Sequence, residues 1–143
     1  MSQALIWAPS AGNLLSRKFY FIYREDIRKG LVGAALGQLF IADAPLLIVI
    51  CADKRIADHY GKRGTDLYML QDSAASVQNL LLAAHEMGLA TCWIGAFKEE
   101  PVVAALNLPV NLRPIAMVPV GYPAEQPSPP QRVSKTDAVI KLR

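Results

Sequence analysis

The residues that usually carry protein chemistry are few in this chain and poorly placed for it. His59 and His85 are its two histidines. Neither lies at a metal-ligand spacing, and the adjacent His85 and Glu86 point in different directions on a helix. Cys51 and Cys92 each sit in an apolar run, where a thiol behaves as a small hydrophobe with no base beside it to activate it. Ser10 has no nucleophile-elbow glycines around it. Neither a GxGxxG nor a GxxxxGK(S/T) phosphate loop occurs. The pattern therefore yields no catalytic side chain and no metal ligand.

A chain without its own acid, base or nucleophile can still be an enzyme if a cofactor carries the reaction. It then needs backbone donors, a surface of small residues for a ring, and an anchor for a charged group. "PSAGN", residues 9–13, offers small residues, exposed amides and an asparagine with both donors and acceptors. "CWIGAF", residues 92–97, offers a strand end where Gly95 and Ala96 let a flat ring come close. Arg132 in the tail can meet a phosphate bidentately, with Lys135 as a second candidate. Taken singly, these are an ordinary turn, an ordinary strand end and an ordinary surface charge.

The elements that must position them follow from pattern. Residues 2–8 read as the end of a helix and 8–13 as a loop. Lys18 to Tyr23 is aromatic and β-branched, hence a strand. Glu25 and Asp26 open a helix expected to run to about Phe40, weakened at Gly33 and Gly37. "LLIVICA", residues 46–52, reads as a strand covered on both faces. A short helix over 54–60 and a loop at Gly61 and Gly64 lead to the longest helix, 66–87, with Thr65 as its N-cap and Gly88 at its C-terminal stop. Residues 89–94 form a strand, 98–106 a helix and 114–120 the last strand. The proline-rich tail from Tyr122 is expected to be extended. Helices and strands alternate irregularly, so a mixed sheet with helices around it is expected rather than a doubly wound one.

At 143 residues the chain suits one domain, 1–143. Its residues are 52% hydrophobic and 19% charged, which asks for surface hidden against a partner subunit or a flat cofactor. The net charge of +3 is mild and no run of like charge occurs, which argues against nucleic acid. Apolar stretches break well short of a membrane span, and no signal peptide is expected. Two cysteines without a disulfide framework fit a reduced, cytoplasmic setting.

Four blocks in order resemble the FMN-dependent nitroreductase family: "APSAGNLLSRKFYFI", "DAPLLIVICAD", "YGKRGTDLYMLQDSAASVQNLLLAAHEMGLATCWIGAF" and "LPVNLRPIAMVPVGYPAEQPSPPQR". The resemblance covers nearly the whole chain, and is to the branch with Trp-Ile-Gly-Ala-Phe at the flavin face. It implies an α+β fold with a mixed, largely antiparallel sheet, a long central helix, and an intertwined homodimer with FMN at the subunit interface. It also implies ping-pong transfer of reducing equivalents from NAD(P)H through FMN to an organic acceptor such as a nitroaromatic or quinone. On that likeness Pro9, Ser10, Ala11 and Asn13 contact the flavin, with Asn13 on the polar edge of the ring. Ile94, Gly95 and Ala96 lie beside the ring, a backbone amide facing N5, and Arg132 meets the phosphate.

Two departures accompany the likeness. The family has one or two further helices before "APSAGN", including an arginine segment that grips the phosphate. Either translation starts upstream of Met1 or the protein is naturally shortened. Leu15 stands where the motif commonly has Gln. Both departures bear on FMN affinity first, and they leave a second expectation in view: a cofactor-poor dimer that keeps the fold as a binding or structural module.

Overall fold

The computed structural model describes residues 1–142. Its elements are α1 (Ser2–Ile6), β1 (Arg17–Ile22), α2 (Glu25–Leu31), α3 (Phe40–Asp43), β2 (Leu46–Asp53), α4 (Ala57–Arg63), α5 (Met69–Glu86), β3 (Ala90–Thr91), α6 (Glu99–Leu106), β4 (Leu112–Gly121) and α7 (Lys135–Ala138). The fold is α+β. One four-stranded sheet in the order β1-β2-β4-β3 is antiparallel at every pair.

The central strand explains the layering. Every residue of β2 is buried, and its side chains divide by parity. Leu47, Val49 and Cys51 join a core with Leu31, Ile41, Val102 and Met117, under α2, α3 and α6. Leu46, Ile48 and Ile50 join a second core with Leu5, Val77, Leu80 and Val118, under α1 and α5. A continuous apolar run is what a strand with two buried faces requires. In this packing Cys51 is a core hydrophobe, and burial pushes its thiol up to about 12.

α5 ends as expected. The amide of Gly88 (φ +72) donates to His85 O at 2.9 Å, and that of Leu89 to Ala84 O at 2.9 Å. This is the paired closure that a left-handed glycine makes possible. Its start differs from expectation. Gly64–Tyr68 forms one π-helical turn and α5 begins at Met69, so Thr65 is not the N-cap; its hydroxyl donates to Lys62 O at 3.0 Å. Gly61 and Gly64 are not in a loop, because α4 runs into that turn. A Cβ on Gly64 would stand 3.0 Å from Ile56 O, so close approach is why glycine fits there.

Of the helix expected over 25–40 only Glu25–Leu31 forms as α2, and a separate short helix, α3, starts at Phe40. Leu36 (φ +56) and Gly37 (φ +82) turn the chain back between them. The strand expected over 89–94 pairs at Ala90–Thr91 and again at Ile94, through an isolated bridge to Met117. Cys92 is exposed rather than packed. In the tail, every described residue from Tyr122 onward is exposed, and one helical turn, Lys135–Ala138, interrupts the expected extended course. Among the described residues, no helix is long and apolar enough to cross a membrane.

Candidate functional site

The "PSAGN" segment is a shaped turn. Ala11–Asn13 make one 3-10 turn in which the Asn13 amide donates to Ser10 O at 3.0 Å and the Leu14 amide to Ala11 O at 3.1 Å. The Leu15 amide donates to Ser10 Oγ at 3.1 Å. Gly12 (φ +55) and Asn13 (φ +54) occupy the left-handed region, which suits their residue types. Leu15 (φ +52) also occupies it, at a cost its side chain does not offset locally. A Cβ on Gly12 would collide with the Tyr60 hydroxyl, so the Tyr60 ring closes over this glycine. Tyr60 meets Tyr68 edge to face at 5.1 Å, and the Arg63 guanidinium lies 5.3 Å from the Tyr68 ring centre. The Asn13 side chain is exposed and makes no hydrogen bond among the described residues.

Two residues that sequence reasoning missed hold this turn in place. Arg17, only 6% exposed, donates to Pro9 O at 3.0 Å and at short range to Ala8 O. Longer bonds of 3.4 Å reach Ile6 O and Asp72 O. Its fork thus fastens the end of α1, the turn and the N-terminal part of α5 together. Burial holds the guanidinium below the usual arginine value, partly offset by Asp72. Asp72, 5% exposed, accepts the Ala11 amide on Oδ1 at 3.0 Å, while Oδ2 is buried with no partner. Burial pushes this carboxyl above the usual aspartate range; the Ala11 amide and Arg17 pull the other way.

The second predicted segment is built differently. Ile94 is buried and exchanges both backbone hydrogen bonds with Met117, at 2.9 and 3.0 Å. Gly95 and Ala96 then emerge exposed, and Ala96 O accepts from Gln38 Nε2 at 3.3 Å. A Cβ on Gly95 would meet nothing within 4 Å, and its amide makes no backbone bond among the described residues. Leu36, Leu39 and Trp93 are exposed nearby in sequence and fold.

The chain does not bring its predicted residues together. Pro9, Ser10, Ala11 and Asn13 precede β1, one edge of the sheet. Ile94, Gly95 and Ala96 follow β3, the other edge, with β2 and β4 between the two edge strands. Arg132 stands in the exposed tail with a single 3.5 Å bond to Gln131 O, apart from both. Beside the first segment a cleft of about 420 Å³ opens between Leu15, Lys18, Arg55 and His59. Its floor is Asp53, which binds Arg55 at 2.5 Å and Asn111 Nδ2 at 3.0 Å and is held at about 2, chiefly by the Arg55 hydrogen bonds. No cluster of metal-ligating side chains exists among the described residues. Both histidines are exposed.

Comparison with known proteins decides the family. Residues 32–122 match the profile of the nitroreductase family. The chain belongs to the nitroreductase family. A protein of Archaeoglobus fulgidus, provisionally named an NADH dehydrogenase/NAD(P)H nitroreductase, is 32% identical over 87% of this chain and 71% of its own length. The Bacillus subtilis FMN reductase (NADPH) is 31% identical over 61% of this chain and 41% of its own length. Among solved structures, the NADPH:FMN oxidoreductase from Vibrio harveyi superposes with a TM-score of 0.86 at 27% identity, covering 97% of this chain and 64% of that one. B. megaterium NfrA2 superposes with a TM-score of 0.87 at 24% identity, which speaks for the fold. The chain spans between about two fifths and about seven tenths of the length of these proteins.

Proposed function

We propose that this nitroreductase-family protein is an FMN-dependent oxidoreductase that draws reducing equivalents from NAD(P)H and passes them to an organic acceptor such as a nitroaromatic or quinone. In this reading two copies of the chain share each flavin site, and the protein works in the cytoplasm. The observation that carries it is the division of the site. Two segments with complementary ring-binding chemistry occupy opposite edges of one sheet. A second copy can set the turn of one chain against the strand end of the other. Exposed Trp7 and Leu15 beside the first segment, and Trp93, Leu36 and Leu39 beside the second, supply apolar surface for such an interface.

The donor set fits a flavin. Asn13 has an uncommitted amide side chain for the polar ring edge, and Gly95 presents a bare surface with an uncommitted N–H. Arg132 would hold the phosphate, its fork suited to two oxygens. When bound, FMN supplies hydride acceptance and donation at N5. The protein's part is to bind and orient. Neither 9–13 nor 94–96 carries an ionisable side chain, so protons come from solvent or from the acceptor. The Gly95 amide, held by the Ile94–Met117 bridge, is a preorganised donor of the kind that tunes a reacting centre.

The test is FMN titration followed by anaerobic reduction with NADH and NADPH. Bound flavin that is bleached by either and reoxidised by a quinone supports the reading. FMN should bind more tightly than riboflavin, and Arg132→Ala should narrow that margin while leaving riboflavin unchanged. A colourless protein that ignores added FMN would support a binding or structural module instead.

A further inference from the structure

Asp72 stands out among the buried polar groups. Its neighbours are accounted for: Ser73 Oγ donates to Met69 O at 2.8 Å and Ser76 Oγ to Leu5 O at 2.9 Å. Among the described residues two buried side-chain atoms lack a partner, Arg28 Nε and Asp72 Oδ2; Asp72 is the carboxyl of the two, and its Oδ1 takes the amide of Ala11 in the candidate flavin turn, 61 positions earlier in the chain. A buried, half-satisfied carboxyl destabilises the fold, since an ionised oxygen there has lost water and gained nothing. Such a group persists more readily where it does something else.

We propose that Asp72 is a positioning residue for the flavin turn: its ionised carboxylate holds the Ala11 amide, and protonation at the empty Oδ2 loosens that hold. This rests on the flavin reading above. The geometry gives it physical content. The Ser10–Asn13 turn carries no side-chain bond of its own to α5, so the Ala11–Asp72 bond is its direct tie to that helix; Arg17 reaches α5 through a stretched 3.4 Å bond to Asp72 O and meets the N-terminal segment at Ile6, Ala8 and Pro9, not at Ser10–Asn13. A carboxylate accepts an N–H about twice as strongly as a neutral acid does. The proton has a place to go, because Oδ2 is uncommitted. The electrostatic surroundings are simple. Among the described residues Arg17 of β1 is the one charged group acting on Asp72, and neither α1 nor the 8–13 segment contains an ionisable side chain. Burial raises the pH window of the switch above that of an ordinary aspartate.

The asparagine variant separates positioning from simple packing. Asp72→Asn keeps the shape and an acceptor oxygen but cannot change charge. The experiment follows two signals across pH 4–8. One is the Ala11 amide and Asp72 carboxyl resonances in the flavin-free protein. The other is riboflavin affinity, chosen because the FMN phosphate itself titrates near pH 6. The expected result is that Ala11 and Asp72 titrate together, above the usual aspartate range. Riboflavin affinity should fall about three- to tenfold as pH drops through that window. In Asp72→Asn the Ala11 amide resonance and the riboflavin affinity should both be flat, with the affinity of the acid form at every pH. An Ala11 resonance indifferent to Asp72, or a variant that keeps the parent's riboflavin pH profile, overturns the proposal. If Ala11 and Asp72 titrate together but the parent binds no flavin at any pH, the switch stands as a property of the turn and the flavin reading fails. An Asp72→Glu variant that restores the pH dependence at a shifted midpoint would confirm that the charge carries it.

Discussion

Replacing Arg17 by methionine is the sharpest test of how the candidate site is held. The methionine stem keeps most of the buried aliphatic contact and removes the fork. Four carbonyl oxygens then lose a donor, but not equally. The bonds to Pro9 O at 3.0 Å and to Ala8 O are close; those to Ile6 O and Asp72 O are stretched to 3.4 Å. A hydrogen bond from a charged donor contributes about 1.5–3 kcal/mol, so the two close ones amount to about 3–6 kcal/mol. Loss of the charge beside Asp72 adds less, since that carboxyl can take up a proton and is already pushed towards doing so. The total matches the penalty of roughly 3–5 kcal/mol for breaking a buried charged contact. Against a typical stability of about 5–15 kcal/mol the variant should fold but be marginal. Urea denaturation followed by circular dichroism measures it. Trp7, 81% exposed and adjacent to the turn, reports local release by fluorescence before global unfolding. Arg17→Lys should recover less than half of the loss, because an ammonium cannot fork to Pro9 O and Ala8 O together. A methionine variant within about 1 kcal/mol of the parent would refute the claim that the fork fastens the turn.

Three further outcomes are expected. Asn13→Ala should weaken FMN binding by about 1–3 kcal/mol, whereas Gly95→Val should abolish it with little change in melting temperature, since a Cβ there meets nothing within 4 Å. Titration calorimetry beside thermal melts distinguishes the two, and a destabilised Gly95→Val protein would contradict the open surface seen there. Asp53, held at about 2, contributes stability that is fully present above the usual aspartate value and lost as pH falls through about 2. The Arg55 side chain is 66% exposed, so the contribution is screened to about 1 kcal/mol, and Asp53→Asn should flatten the acid limb of a stability–pH curve by that amount. Light scattering should give a dimer mass at micromolar concentration, consistent with an interface above about 2,000 Å²; a monomer would remove the shared site.

Some of this protein was legible along the chain alone. The apolar run 46–52 read directly as a strand with two covered faces, because apolarity at both parities leaves no face for water; the strand as built is buried throughout and extends one residue further, to Asp53. Gly88 marked the end of α5, since the left-handed closure there is a local backbone requirement. The two ring-binding segments were also visible, for small residues and an asparagine next to strand boundaries are local chemistry. The helix break at Leu36 was not visible, because a leucine at φ +56 goes against the residue's own backbone preference and the turn there is closed by main-chain bonds, Leu36 N to Gly33 O and Gly37 N to Val32 O. Nor was Arg17, whose acceptors are main-chain carbonyls, one of them 55 positions away and none with a side-chain signature. Asp72 is a buried carboxyl only because the distant Ala11 turn is laid over it. The division of the candidate site was decided by tertiary structure as well. β4 inserts between β2 and β3, and that long-range pairing, not any local preference, puts Asn13 and Gly95 on opposite edges of the sheet.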